Sequence, residues 1–152
     1  MPRFELETPI AAAQARCFEL ALSVDAHAAS MASSGERAIE GVTRGQMSLG
    51  DTVTWRARHF GVWFRMASAI TVYDYPARFV DEQVRGPFAQ WWHEHRFEPS
   101  AAGGTLMIDV VVFRSPGGPL GGLVDRVLLL RYITKLIRQR NAWLRRTLEA
   151  SR

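Results

Sequence analysis

A change in hydrophobic period constrains this chain more than any other feature. From Glu36 to Arg114 apolar and polar residues alternate with a period of two, interrupted only by turn residues. From Leu120 to Ala150 the period becomes that of a helix, with no proline. Short alternating segments joined by tight turns imply an antiparallel meander. About 30 residues of helix extend ~45 Å, enough to cross an entire curved sheet.

The segments follow from the punctuation. Arg3 to Ile10 reads as a half-buried strand with Phe4 and Leu6 on one side and Arg3, Glu5 and Glu7 on the other. Ala11 to Leu22 reads as a helix, and Ser23 or Asp25 caps a second short helix running to Met31, which Ser33-Ser34-Gly35 ends. Strands are predicted over Glu36–Arg44, Thr52–Phe60, Arg65–Tyr73, Arg78–Arg85, Trp91–Glu98 and Thr105–Arg114, with Gly61-Val62-Trp63-Phe64 as a small apolar turn. In the last helix the predicted buried stripe is Leu123, Val127, Leu130, Ile133 or Thr134, Ile137, Leu144 and Leu148, opposite Arg131, Lys135, Arg138 and Arg145.

Length and composition narrow the possibilities further. The 152 residues suit one domain spanning 1–152, and 47% hydrophobic with 22% charged residues is a globular balance. Such a domain buries roughly 68–70% of its unfolded surface. One cysteine, Cys17, excludes an internal disulfide framework and a thiolate zinc site, and fits a reducing, cytoplasmic setting; we expect it to be a small core residue. The N-terminus lacks the apolar core of a signal peptide, and no apolar run approaches the ~20 residues that span a bilayer. The net charge of +4 and a pI near 10.0 are compatible with nucleic acid but also with ordinary solubility. A protein or nucleic-acid interaction module using the arginines of the last helix is the least favoured alternative, and nucleic acid is not expected, because no aromatic residues are interleaved among the helix cations as a stacking platform requires.

Alternation also sorts side chains between the two faces of the sheet. In Trp91–Glu98, one face carries Trp91, His93, His95 and Phe97 and the other Trp92, Glu94, Arg96 and Glu98. Neutral histidine and tryptophan are cheaper to bury than three charges, so the first set faces inward. Phe79, Asp81 and Gln83 share one face of the preceding strand. Thr105–Arg114 is apolar on both faces, and pattern alone does not choose between Met107, Asp109, Val111, Phe113 and the alternate set.

Five motifs carry a family resemblance: Phe79-Val80-Asp81-Glu82-Gln83, Gly86-Pro87-Phe88, Trp92-His93-Glu94-His95-Arg96-Phe97, Gly104-Thr105-Leu106-Met107-Ile108-Asp109 and Pro116-Gly117-Gly118-Pro119-Leu120-Gly121. This run resembles bacterial ligand-binding proteins of the START-like SRPBCC superfamily, of the polyketide cyclase/dehydrase type. The resemblance implies an α+β helix-grip fold: a curved antiparallel sheet of about seven strands wrapped around a long C-terminal helix, with two short helices after strand 1. It also favours the Met107 face as the inward one, which places Asp109 inside. The aromatic-ring dioxygenase members carry iron ligands and a Rieske domain; this chain has neither the length nor the cysteines, so no metal and no cofactor is expected.

The resemblance and the aromatic content, five Trp, eight Phe and three Tyr, together suggest carriage of a hydrophobic small molecule. The candidate ligand-binding residues are Trp55, His59, Phe79, Gln83, Trp91, Phe97, Met107, Phe113, Val127 and Ile137. Asp81, His93, His95 and Asp109 are candidate acid–base groups for a cyclase, dehydratase or isomerase, or else a structural hydrogen-bond network beneath the helix. If they face one another, carboxylate pairing is expected to raise at least one histidine pKa, with burial opposing. Two imidazoles spaced His-x-His also chelate metals in principle. Beyond the small molecule, a monomer or homodimer with no membrane span is expected.

Overall fold

The computed structural model describes residues 1–151. Seven strands run in the order β1 (Arg3–Ile10), β7 (Thr105–Arg114), β6 (Gln90–Pro99), β5 (Arg78–Arg85), β4 (Val62–Asp74), β3 (Thr52–His59) and β2 (Arg37–Gly41), all antiparallel. Between β1 and β2 lie α1 (Gln14–Leu22), α2 (Val24–Ser30) and a short 3-10 turn. After β7 come α3 (Gly118–Val124), a π turn (Asp125–Leu129) and α4 (Leu130–Ala150), continuous in right-handed helical dihedrals. This is an α+β helix-grip arrangement, as the periodicity and the resemblance predicted. Among the described residues, no helix is long and apolar enough to cross a membrane.

Local chemistry explains the boundaries. Ser23 Oγ accepts from Ala26 N at 3.2 Å and caps α2, whereas Asp25 accepts from Gly45 N at 2.8 Å. The β3–β4 hairpin closes on Phe60 and Gly61, both at positive φ (52° and 75°), as a two-residue primed turn requires. Val62, Trp63 and Phe64 therefore begin β4 rather than forming the apolar turn expected from sequence. Trp63 is covered by the Arg56 guanidinium 4.1 Å from its ring.

The principal core lies between the sheet and α1 and the end of α4. It joins Cys17, Phe18, Val53, Phe79, Phe97, Met107, Leu144 and Leu148. A second cluster, Val111, Phe113, Ile133 and Ile137, sits farther along the helix. On the opposite face of the sheet Glu94 is buried despite its charge, paired with Arg78 and with Arg96 at 3.6 Å.

One element departs from the expected packing. Ile133, Ile137, Leu144 and Leu148 are buried, but Leu123 and Val127 are not; Val127 is 68% exposed. Ahead of Ile133 the buried positions are Gly121 and Asp125. A Cβ on Gly121 would lie 2.2 Å from the Pro116 carbonyl oxygen, so only glycine permits this close approach. Asp125 Oδ2 accepts from Ser115 N at 2.9 Å, tying the π turn to the end of β7. Leu120–Leu130 is nearly apolar all round, and the period alone could not show that backbone contacts select a glycine and an aspartate for the inner face.

Candidate functional site

A cavity of about 370 Å³ opens between the sheet and the C-terminal helix. Apolar side chains make most of its wall, including Trp55, Phe64, Phe79, Phe88, Trp91, Leu129 and Ile137. All four histidines of the chain line it: His27, His59, His93 and His95. Near the hairpin end, Phe60 packs on Tyr132 with ring centroids 4.4 Å apart, and Tyr132 Oη lies 2.6 Å from His59 Nδ1. Burial lowers the His59 pKa, against the opposing charge of Glu36, and burial raises that of Tyr132. His27 pairs with Glu36 at 2.9 Å and lies against the Trp55 ring.

Strand register assembles the polar end. Asp81 stands opposite His93 across β5–β6, and His95 opposite Asp109 across β6–β7. All four side chains project from the same face, as residues two apart on a strand must. The hydrogen bonds cross on the diagonals: His95 Nε2 is 2.7 Å from Asp81 Oδ2, and His93 Nε2 is 2.8 Å from Asp109 Oδ1. The two imidazoles stack with centroids 3.8 Å apart, and Phe79 stacks on the far face of His95 at 4.1 Å.

The helix completes the assembly with Arg140 and Asn141, both buried. Arg140 Nη1 donates to Asp109 Oδ1 at 3.1 Å and to Asn141 Oδ1 at 2.9 Å; Asn141 Nδ2 donates to Asp109 Oδ2 at 2.6 Å. Burial alone pushes the Asp109 carboxyl up, but the Arg140 guanidinium and the His93 N–H outweigh it and hold it well below the usual carboxylate range. Asp81 is treated similarly. Burial acts upward, and the His95 hydrogen bond with the neighbouring imidazoles brings it to about 2.

The expected raised histidine is not found at His95. Burial is the strongest influence, assisted by His93 and Arg140, and it exceeds the pull of Asp81, lowering His95 to about 3. The geometry requires the same state. Arg140 Nη2 lies 3.2 Å from His95 Nδ1, and a guanidinium can only donate, so Nδ1 is a lone pair and the ring proton sits on Nε2, facing Asp81.

That tautomer also bears on metal binding. One donor atom each from Asp81, His93 and His95 lie within 4.8 Å of one another. A cation on His95 Nε2 would move the ring proton to Nδ1, directly against the Arg140 N–H groups. The tautomer that Arg140 imposes therefore keeps His95 Nε2 from serving as a metal ligand.

Several expected positions lie elsewhere. Trp55, His59, Phe79, Asp81, Trp91, His93, His95 and Ile137 line the cavity. Asp109 lies fully buried, bonded to His93, Arg140 and Asn141. Phe97, Met107 and Phe113 belong to the packed clusters and are absent from the cavity wall. Gln83 is spent on the backbone: its Nε2 donates to Phe88 O at 2.7 Å and its Oε1 accepts from Phe88 N at 3.1 Å, fixing the turn that carries Phe88. Val127 is on the outer face of the helix. Sequence reading missed Arg140, Asn141, Tyr132, His27 and Glu36. Arg140 had a signal, since it falls three residues after Ile137 and four before Leu144, inside the buried stripe.

No family model matches the chain, and no curated protein matches it. Solved structures do. A START superfamily protein from Mycobacterium smegmatis superposes with a TM-score of 0.73 at 12% identity, covering 99% of both chains. TTHA0849 from Thermus thermophilus gives 0.72 at 16% identity over 94% of this chain and 97% of its own. Protein Ms6760 from Mycobacterium smegmatis gives 0.72 at 17% identity over 99% and 92%. With seven antiparallel strands gripping one long C-terminal helix, the chain has the helix-grip fold of the START-like structures on which it superposes.

Proposed function

We propose that the chain binds and carries a hydrophobic, aromatic or lipid-like small molecule between the sheet and the C-terminal helix. One observation supports this above the others: a largely apolar cavity of about 370 Å³ with a compact network of buried polar groups on its wall. That is the build of a small-molecule site, in which apolar walls supply affinity and a few placed polar groups supply orientation. In this reading Trp55, Phe79, Trp91 and Ile137 contact the ligand body. His59 and Tyr132 flank it near the hairpin. Asp81, His93, His95 and Arg140 meet its polar end.

Native mass spectrometry of freshly purified protein, followed by extraction, tests for a retained ligand. A panel of apolar compounds should raise the melting temperature by mass action and shift the fluorescence of Trp55 and Trp91. No mass increment, no thermal shift and unchanged fluorescence across the panel would contradict the reading.

A second reading, an acid–base enzyme of the cyclase, dehydratase or isomerase kind, draws on the Asp109–His93 pair. A carboxylate that orients an imidazole by one nitrogen leaves the other to move protons. Substrate turnover lost in His93→Gln with binding retained would favour it.

A further inference from the structure

Among the described residues, the polar cluster has one ring nitrogen without a hydrogen-bond partner. His95 uses both nitrogens, Nε2 on Asp81 and Nδ1 on Arg140. His93 uses only Nε2, on Asp109. Asp109 already accepts from Arg140 and Asn141, so it is the acceptor and His93 Nε2 carries the proton. A neutral imidazole then has its lone pair on Nδ1.

The surrounding distances agree. His93 Nδ1 lies 3.8 Å from Asp81 Oδ2, whereas the N–H of His95 reaches that same oxygen at 2.7 Å. At 3.8 Å the two atoms make no hydrogen bond with each other, so His93 Nδ1 stays open to a ligand. Asp81 and His93 both line the cavity. Asp81 and Asp109 bring two carboxylates to this end of the cavity against the one guanidinium of Arg140.

We propose that the ligand of this cavity carries a hydrogen-bond donor, a hydroxyl or an ammonium group, that sits on His93 Nδ1 beside Asp81. The inference rests on the ligand-binding reading above and narrows it to donor-bearing aromatic or lipid-like molecules. Carboxylates are disfavoured by the negative charge, and ethers by the missing proton. The flat Trp91 and Phe88 rings on the wall suit an aromatic ring bearing such a hydroxyl.

The test is isothermal titration of the intact protein with 2-naphthol, 2-methoxynaphthalene, 2-naphthoate and 2-naphthylmethylammonium. 2-Naphthol should bind at least about fivefold more tightly than its methyl ether, the ratio worth one ordinary hydrogen bond. Tighter binding of the ammonium than of the naphthol identifies a cationic donor, and the reverse a neutral one. His93→Gln places an amide N–H where Nε2 stood and keeps the bond to Asp109, but removes the acceptor at Nδ1. It should abolish the naphthol–ether ratio, whatever it does to the affinity for either compound. The wild-type ratio stands as a test even if the variant does not fold. Equal affinity for naphthol and ether, or preference for naphthoate, overturns the inference and leaves the cavity reading intact. Binding of none of the four overturns both.

Discussion

Beyond Leu130 the long helix turns Ile133, Ile137, Leu144 and Leu148 onto the sheet, with Arg140 and Asn141 buried among them; before it, Leu120, Leu123, Val127 and Leu128 face solvent and the inner positions are Gly121 and Asp125. The two parts obey different rules. In the C-terminal part burial follows hydrophobicity, and the exceptions are polar groups satisfied by Asp109 and His95. In the N-terminal part burial follows backbone geometry: a glycine where the chain must pass Pro116, and a carboxylate where Ser115 N needs an acceptor. An amphipathic pattern therefore reports the packed face only where side-chain packing, rather than chain entry, sets the helix position.

Substitutions can break this contrast, and the largest effect is expected at Leu144. Leu144→Asp buries an unpaired charge in the principal core and should leave the protein unfolded at 25 °C by circular dichroism. Arg140→Met comes next. It removes the cation from fully buried Asp109 and the donor from His95 Nδ1, and urea titration should show a loss of about 3–5 kcal/mol. A loss under about 1 kcal/mol would mean that Asp109 is not held as a buried anion.

Acid probes the same assembly with a defined sign. His95 is held at about 3, so between there and its ordinary range the unfolded chain binds a proton that the native protein does not. Asp81, held at about 2, acts in the same direction at lower pH. Both contributions are present near neutrality. The His95 share is lost as pH falls from about 6.5 toward 3, and the Asp81 share as it falls from about 4 toward 2. Stability measured at pH 4.5 should be lower than at pH 7. A protein more stable at pH 5 than at pH 7 would show a histidine charged by its carboxylate partner instead.

The smaller effects lie before Leu130. Asp125→Ala strips the acceptor from Ser115 N and should cost about 1–2 kcal/mol, largely recovered by Asp125→Asn. Val127→Asp, on the outer face, should change stability by no more than about 0.5 kcal/mol. Severe destabilisation by Val127→Asp would place that face in a contact and invert the comparison.

Much of this was legible in the residues. Alternation and the flanking turn residues located β1, β5 and β7 to the residue, and alternation assigned the cavity face of β6, because burying His93 and His95 costs less than burying Glu94, Arg96 and Glu98 together. Alternation marked only part of the site. Asp109 came from the family resemblance, since both faces of β7 are apolar. Arg140 was hidden among the other cations of its helix, although its place in the stripe marked it. The phase of the N-terminal helix part was not legible, because Leu, Val and Gly surround it on all sides and the deciding contacts are to the Ser115 and Pro116 backbone.

The most direct test of the central claim is an NMR titration of the labelled protein with 2-naphthol, following backbone amides and histidine ring nitrogens together. The account predicts changes confined to the cavity wall (Trp55, Trp91, Ile137 and the ring of His93), with the amides of Leu123 and Val127 unmoved. Shifts gathered on Leu120, Leu123 and Val127, with His93 silent, would place binding on the outer face of the helix and contradict it.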